Sequence, residues 1–211
     1  MDIYSDKSII IPTLRRKINQ LQSKGAIVQA QPLGLMRVAL EEQKNSDSGL
    51  FLHVWMPELP IQEGGPFIHT HVFHLTSRVL LGNLTDVSYK SILDSQGNYQ
   101  LVSGKCAQDY CLLTDVLTRS QMEITRTLKL SEGEIYEIHK GNFHTTLIPA
   151  SSTTMTLIRK SDVDDADPIL AIPYGLKIAK TPFMRNQLDQ DFAWRKIDAL
   201  LCAALDSARV I

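Results

Sequence analysis

The stretch of sequence that decides the fold is His69-Thr70-His71, together with His139-Lys140-Gly141-Asn142-Phe143-His144 further along the chain. In an extended strand, residues two apart project from the same face, so the imidazoles of His69 and His71 can point at one metal ion. Imidazole is a preferred ligand of zinc, copper, nickel and iron, and three protein ligands leave positions open for water, dioxygen or substrate. The pattern therefore predicts an open metal site.

The surroundings of the two motifs support this prediction. Gly64-Gly65-Pro66 is a turn signal before the first motif, and a β-rich run from Ser77 to Leu84 follows it. His144 likewise follows a glycine turn and precedes the apolar run that ends at Pro149. An isolated His-x-His is often no more than two surface histidines on an edge strand, whereas the repeated context favours two halves of one site.

The region from Pro32 to Lys160 resembles the cupin superfamily, whose small antiparallel jelly-roll barrels hold a metal ion inside. A first cupin motif has a glycine, a short spacer, His-x-His, usually a glutamate, and a closing glycine. Gly65, His69, His71 and Gly82 match that motif. The resemblance implies an all-β, cupin-type jelly-roll β-barrel.

The second cupin motif, Pro-x-Gly-x-x-His, also has a counterpart in this sequence. His139-x-Gly141-x-x-His144 fits it, with histidine in place of the proline. The resemblance implies that His144 completes a metal site with His69 and His71.

The position of the cupin glutamate is taken by Leu75, which leaves a neutral set of three histidines. Such a set resembles the cysteine-dioxygenase-like cupins, or thiol dioxygenases, which hold ferrous iron. The segments Arg37–Gln43 and Leu50–Trp55 also resemble the part of that family upstream of its His-x-His, which implies that Arg37 binds a substrate carboxylate. A guanidinium suits that role because its rigid fork can donate two parallel hydrogen bonds. The serine, histidine and tyrosine relay of the family has no clear equivalent here.

Four further residues have two interpretations each. His53 is either a core histidine or a barrel-lining group that contacts substrate, and Arg78 either points outward or binds an anion, because a buried guanidinium needs a partner. Both are kept as candidate substrate-binding residues. His74 is either an additional ligand or a partner of one, or it lies on the other face of a regular strand, which its odd spacing from His71 favours. His139 is either a ligand or a residue of the turn before His144, and the turn is favoured.

The 211 residues can bury one substantial core, so we expect a single domain. Its predicted parts are an N-terminal helical extension at residues 1–31, the barrel at 32–160, and an acidic loop with a C-terminal helix at 161–211. Helical spacing of apolar residues predicts the two helices at Pro12–Lys24 and Asn186–Arg209. The second helix packs on the barrel or forms a homodimer interface, and packing is favoured.

The formal net charge of −1 leaves no electrostatic footprint for nucleic acid or an anionic membrane surface. The three cysteines are odd in number and form no Cys-x-x-Cys pair, which argues against a disulfide framework. The apolar run Ser8–Pro12 is too short for a signal peptide or a membrane span. These features predict a cytoplasmic protein.

Taken with the resemblance, the sequence favours a mononuclear non-haem Fe(II) dioxygenase of thiol dioxygenase type, acting on a small substrate and dioxygen. Two alternatives stay open. One is a non-catalytic ligand-binding cupin, and the other is a hydrolase or isomerase that uses zinc, manganese or nickel at the same ligands.

Overall fold

The computed structural model describes residues 1–42, 49–59, 67–106, 109–177, 182–185 and 187–208. Gly65 of the first motif lies outside these residues. The described chain forms two antiparallel sheets with a helix near each end. In chain order the elements are α1 (Lys7–Ser23), β1 (Gln29–Gln31), β2 (Leu35–Glu42), β3 (Gly49–Trp55), β4 (Ile68–His69), β5 (His74–Leu81), β6 (Asn83–Leu93), β7 (Tyr99–Cys106), β8 (Tyr110–Ser131), β9 (Ile135–Ile138), β10 (Phe143–Leu147), β11 (Thr154–Ser161), β12 (Ile169–Pro173), β13 (Phe183–Met184) and α2 (Gln190–Ala208).

Helix α1 begins five residues before the Pro12 start expected from the sequence. Asp6 is its N-cap, and the carboxylate accepts a hydrogen bond from the backbone N–H of Ser8 at 2.7 Å. Pro12 removes one internal hydrogen bond of the helix. The helix nevertheless continues through it, because Ile10 and Leu14 on either side are buried against the sheet.

The first sheet has six strands in the order β1-β2-β3-β11-β5-β9. Its alternating residues face in opposite directions, and one face is apolar where α1 and α2 pack on it. The main core contains side chains from both helices and from this face, including Ile10, Leu52, Leu157 and Ile197, which are at most 1% exposed. The other face of the sheet is turned toward the barrel interior.

The second sheet has seven strands in the order β13-β8-β6-β10-β4-β12-β7. Strand β8 is 22 residues long and pairs with two neighbours. Its second half pairs with β6 and its first half pairs with β7, the last strand of the order. Strands β4 and β10, which carry two of the motif histidines, are neighbours in this sheet.

The all-β jelly roll with terminal helices packed outside, predicted from the sequence, is confirmed. The sheets extend from Gln29 to Met184, beyond the predicted barrel boundaries of 32 and 160. Strands β12 and β13 were missed because the acidic loop before them separates them from the second motif. Within the described residues, no helix has the length and apolar character needed to cross a membrane.

Candidate metal centre

Three histidines meet at one point in the barrel interior. His69 ends β4 and His144 lies on β10, and the two residues are paired in register across these antiparallel strands. Their ring centroids are 4.6 Å apart, and the ring of His71 lies 4.9 Å from His69 and 5.0 Å from His144. One ring nitrogen from each histidine falls within 4.8 Å of the others. Metal–nitrogen bonds of about 2.0–2.1 Å can join donors at this spacing after small side-chain adjustments.

Neighbouring acceptors orient two of the three rings. The Nδ1 atom of His69 lies 3.1 Å from the carbonyl oxygen of Phe67, and Nδ1 of His144 lies 2.8 Å from Oδ2 of Asp86. In each case an Nδ1–H that donates to the oxygen leaves the Nε2 lone pair available. Metal-binding histidines are held in this way by carboxylates and backbone carbonyls. The geometry thus fits a divalent metal ion.

The segment that carries His71 is held by backbone hydrogen bonds. The N–H of Gly141 donates to the carbonyl of His71 at 2.9 Å, and the N–H of Asp164 donates to the carbonyl of Val72 at 2.7 Å. Gly141 has a φ of +79°, a conformation that favours glycine. The glycine of the second motif therefore positions a histidine of the first.

The three imidazoles are neutral near pH 7, as ligands must be. Burial lowers the pKa of His69, although the Phe67 carbonyl and Asp86 partly oppose the shift. Burial also holds the pKa of His71 and His144 well below the usual value, and His69 adds to the effect at both. For the fully buried Asp86, burial raises the pKa to about 6, so this carboxyl group is ionised above that pH.

A cavity of about 310 Å³ opens beside His69 and His71. Arg37, His53 and Leu75 also line it. The candidate substrate-binding residues Arg37 and His53 are therefore brought to the same cavity as two of the candidate ligands. Leu75, at the position of the cupin glutamate, presents an apolar wall to that cavity.

Arg37 and His53 are cross-strand neighbours on β2 and β3. The Arg37 guanidinium donates to Oε1 of Gln29 at 3.2 Å, and its central carbon lies 4.1 Å from the centre of the Phe51 ring. Burial, assisted by the charge of Arg37, lowers the pKa of His53 to about 3. His53 is therefore a neutral imidazole that offers the cavity one N–H and one lone pair.

Arg78 does not line this cavity in the described part of the chain. It donates instead to the backbone carbonyls of Ile3 and Ser5, the former at 3.1 Å. These bonds tie the segment before α1 to β5. Of the two interpretations of Arg78, these contacts agree with the outward-facing one, and they do not bring it to the cavity as a substrate-binding residue.

His74 and His139 contact each other away from the three-histidine cluster. Their Nδ1 atoms are 3.3 Å apart, and Nε2 of His74 lies 3.2 Å from Asp162. Lys140 also forms ion pairs with Asp162 and Asp164, each at 2.9 Å. His139 is in the turn before β10, as predicted, and these contacts join that turn to the loop after β11.

Asp86, which contacts His144 at the candidate site, was not predicted from the sequence. It lies on β6 between Leu84 and Ser88. Because Leu84 and Val87 are buried, this part of the sequence has the pattern of an ordinary strand. The sequence feature that could have identified Asp86 is an acidic residue at an inward-facing position of a strand whose residues alternate between buried and exposed. Tyr136 is buried beside a smaller space that His144 also lines, and burial raises its pKa to about 12.

No protein-family model and no curated protein matches this chain. Solved structures to which this chain is similar include the polyketide cyclase RemF from Streptomyces resistomycificus, with 14% identity and a TM-score of 0.41 over 73% of this chain and 83% of that one. A cupin-2 domain protein from Rhodospirillum rubrum has 14% identity and a TM-score of 0.38, covering 86% and 88% of the two chains. The hydroquinone 1,2-dioxygenase PnpCD, solved with Cd²⁺ and 4-hydroxybenzonitrile, has 14% identity and a TM-score of 0.35, covering 63% and 66%.

Proposed function

We propose that this chain is a metal-dependent dioxygenase with a single Fe(II) bound by His69, His71 and His144. The observation that carries the proposal is the convergence of three neutral imidazoles, two of them with Nδ1 facing an acceptor. Three protein ligands leave coordination positions for a substrate and for dioxygen. A bound Fe(II) would supply the activation of dioxygen.

The chain's own residues provide position and environment. Asp86 accepts from His144 and keeps its Nε2 directed at the site, while the Phe67 carbonyl does the same for His69. Leu75 and the other apolar side chains of the cavity exclude water from the space beside the ligands. Arg37 lies on the wall of that space, where it can bind an anionic group of the substrate.

The sequence resemblance adds thiol dioxygenation to this proposal. In that reaction a thiol and one dioxygen give a sulfinic acid, with both oxygen atoms transferred to sulfur and no external reductant. Oxygen uptake with a panel of small thiols should then be one mole per mole of thiol consumed.

The test is metal content followed by oxygen uptake, on protein purified without a histidine tag. We expect near-stoichiometric iron in the wild type and its loss in His144→Ala with the fold retained by circular dichroism. His139→Ala is the matched control, because His139 is exposed and outside the cluster. Iron bound equally by wild type and His144→Ala would remove the site assignment.

A non-catalytic binding protein is the second candidate. The observation that favours it is the size and apolar lining of the cavity, which suit ligand binding with or without chemistry. Three imidazoles also suit zinc or nickel, with which hydrolysis or isomerisation would replace oxygenation. Iron-loaded protein that binds ligands but never consumes oxygen would favour the binding protein.

A further inference from the structure

Two histidines lie outside the candidate metal centre and its cavity. Of the six histidines in the chain, three form the centre and His53 lines the cavity. The remaining two are His74, the first residue of β5, and His139, in the turn before β10, and their ring centroids are 5.2 Å apart. Both side chains reach solvent, so an ion can approach them without entering the barrel.

The facing ring nitrogens of this pair have the spacing of two ligands of one metal ion. Nδ1 of His74 and Nδ1 of His139 are 3.3 Å apart. Two metal–nitrogen bonds of about 2.0–2.1 Å at a tetrahedral angle place their nitrogens about 3.3–3.4 Å apart. A hydrogen bond between the rings would normally be shorter, since N–H donors lie about 2.7–3.2 Å from their acceptors. The spacing therefore fits a shared metal ion better than a direct hydrogen bond.

The surroundings of His74 leave a lone pair on the nitrogen that faces His139. The backbone N–H of Lys140 donates to Nδ1 of His74 at 3.4 Å, so this nitrogen is an acceptor. The ring proton is then on Nε2, which lies 3.2 Å from Oδ2 of Asp162. Carboxylates hold metal-binding histidines in this way and raise the basicity of the ligand nitrogen. The contact from Lys140 is long for a hydrogen bond, so a metal ion can replace it.

The charge of the neighbouring loop also favours a cation. Lys140 pairs with Asp162 and with Asp164, each at 2.9 Å. Asp165 and Asp167 are exposed in the same loop after β11. Four acidic side chains and one ammonium group give this end of the barrel a negative balance, which raises the local concentration of divalent cations.

We propose that His74 and His139 form a second site for a divalent transition metal of the zinc, nickel and copper group, with Asp162 orienting His74 and solvent completing the coordination. Imidazole is a preferred ligand of these ions. With two protein ligands in place of three, this site binds metal more weakly than the candidate centre, so the metal retained after gel filtration reports the centre alone. Occupancy joins β5 to the turn whose Gly141 N–H donates to the carbonyl of His71.

Isothermal titration calorimetry on the full chain tests the proposal, with zinc chloride as the probe. Wild-type protein first receives one equivalent of Zn²⁺ to fill the candidate centre, passes through gel filtration, and is then titrated with more Zn²⁺. We expect one further equivalent to bind in the wild type and none in His74→Ala or His139→Ala. Circular dichroism checks that these variants, both of solvent-accessible residues, retain the fold. The absence of a further equivalent in the wild type, or its persistence in either variant, would overturn the site.

Two acidic residues of one loop separate ring orientation from bulk charge. Asp162→Asn should weaken binding of the further equivalent about 10-fold, because the amide is a poorer acceptor for the ring N–H of His74. Asp165→Asn is the matched control, since Asp165 is exposed and contacts neither histidine in the described part of the chain. It removes the same charge and should change the affinity by less than about 3-fold. Equal effects of the two variants would overturn the role of Asp162.

Thermal unfolding gives a second readout. An ion that binds only the folded chain raises the Tm, so Zn²⁺ added beyond the first equivalent should raise the Tm of the wild type further. The same addition should not change the Tm of His139→Ala, and an equal rise in both proteins would contradict the site.

These results are separate from the fate of the proposed function. Protein that retains no metal after gel filtration, yet binds one equivalent in the titration, would reject the candidate centre. If that equivalent is lost in His74→Ala and kept in His144→Ala, the second site stands without the first.

Discussion

At the scale of single residues, Asp86 pairs with His144 at the candidate metal centre. The carboxylate is fully buried and lies 2.8 Å from Nδ1 of the imidazole. A partner of this kind fixes both the orientation and the tautomer of a metal-binding histidine. Asp86 therefore orients His144 without being one of the three candidate ligands.

Replacing Asp86 with Asn should weaken metal binding about 10- to 100-fold, because the amide is a poorer acceptor and does not strengthen the basicity of the ring. Competition with a chromophoric chelator at pH 7.5 measures the change. Asp162→Asn is the control, since Asp162 is exposed and pairs with His74 and Lys140 away from the cluster. Equal affinity in wild type and Asp86→Asn would show that the pair does not support the centre.

Asp86 should lower the unfolding free energy of the metal-free protein. Burial raises the pKa of Asp86 from 3.8 to about 6, so ionisation is disfavoured in the folded state. The cost is largest above pH 6, at about 2–3 kcal/mol, and is relieved as the pH falls through 6 toward 3.8.

The unfolding free energy of Asp86→Asn, relative to the wild type, should therefore be highest at pH 8 and fall by about 2 kcal/mol on acidification to pH 4. Urea unfolding of both proteins in the presence of a chelator measures it. A pH-independent difference would mean that the carboxyl group titrates normally.

At the scale of elements, two glycines with positive φ lie in the connections between elements. Gly82 joins β5 to β6 with a φ of +75°, and a Cβ built there would lie 2.5 Å from the carbonyl oxygen of Thr153. Gly25, after α1, has a φ of +77° but has open space where a Cβ would be. An alanine at Gly25 would therefore introduce backbone strain alone, whereas an alanine at Gly82 would introduce backbone strain and steric overlap.

Gly25→Ala should cost about 1 kcal/mol of unfolding free energy, which is the price of a left-handed conformation in a residue with a Cβ. Gly82→Ala should cost about 1–3 kcal/mol more, because the added methyl group collides with the backbone beside β11. Thermal or urea unfolding measures both. Equal costs would show that the turn can move away from Thr153 without loss.

At the scale of the whole molecule, the six-stranded sheet separates the structural core from the candidate site. Helices α1 and α2 pack on one face of this sheet, and the cavity lies on the other. Arg15 and Asp198 add an ion pair between the helices at 2.9 Å, although both side chains are well exposed and the pair contributes little. Stability and function should therefore be separable by mutation.

Ile197→Ala on α2 removes a fully buried side chain and should lower the unfolding free energy by about 2–5 kcal/mol. Ile9→Ala on α1 is the matched control, since Ile9 is 61% exposed, and it should change stability by less than about 0.5 kcal/mol. Metal affinity, measured below the unfolding transition, should be unchanged in both variants. A large loss of affinity in Ile197→Ala would show that the helices support the site through the sheet.

The sequence by itself determined the class of fold, the two helical ends and the grouping of His69, His71 and His144. These features depend on local rules: the period of two in a strand, the period of 3.6 in a helix, and motif spacing that resembles a known family. The resemblance also implied a place at the site for Arg37, which lines the cavity, and for His53 a place on the barrel lining was one of two interpretations.

Only the tertiary structure decided which distant residues surround the histidines. Asp86 reaches His144 because β6 and β10 pair with a particular register, and Lys160 meets Arg37 at Phe51 because β11, β3 and β2 are neighbours in the sheet. Arg78 reaches the N-terminal segment for the same kind of reason. Strand order and register result from long-range packing of the whole chain, and no short window of sequence contains that information.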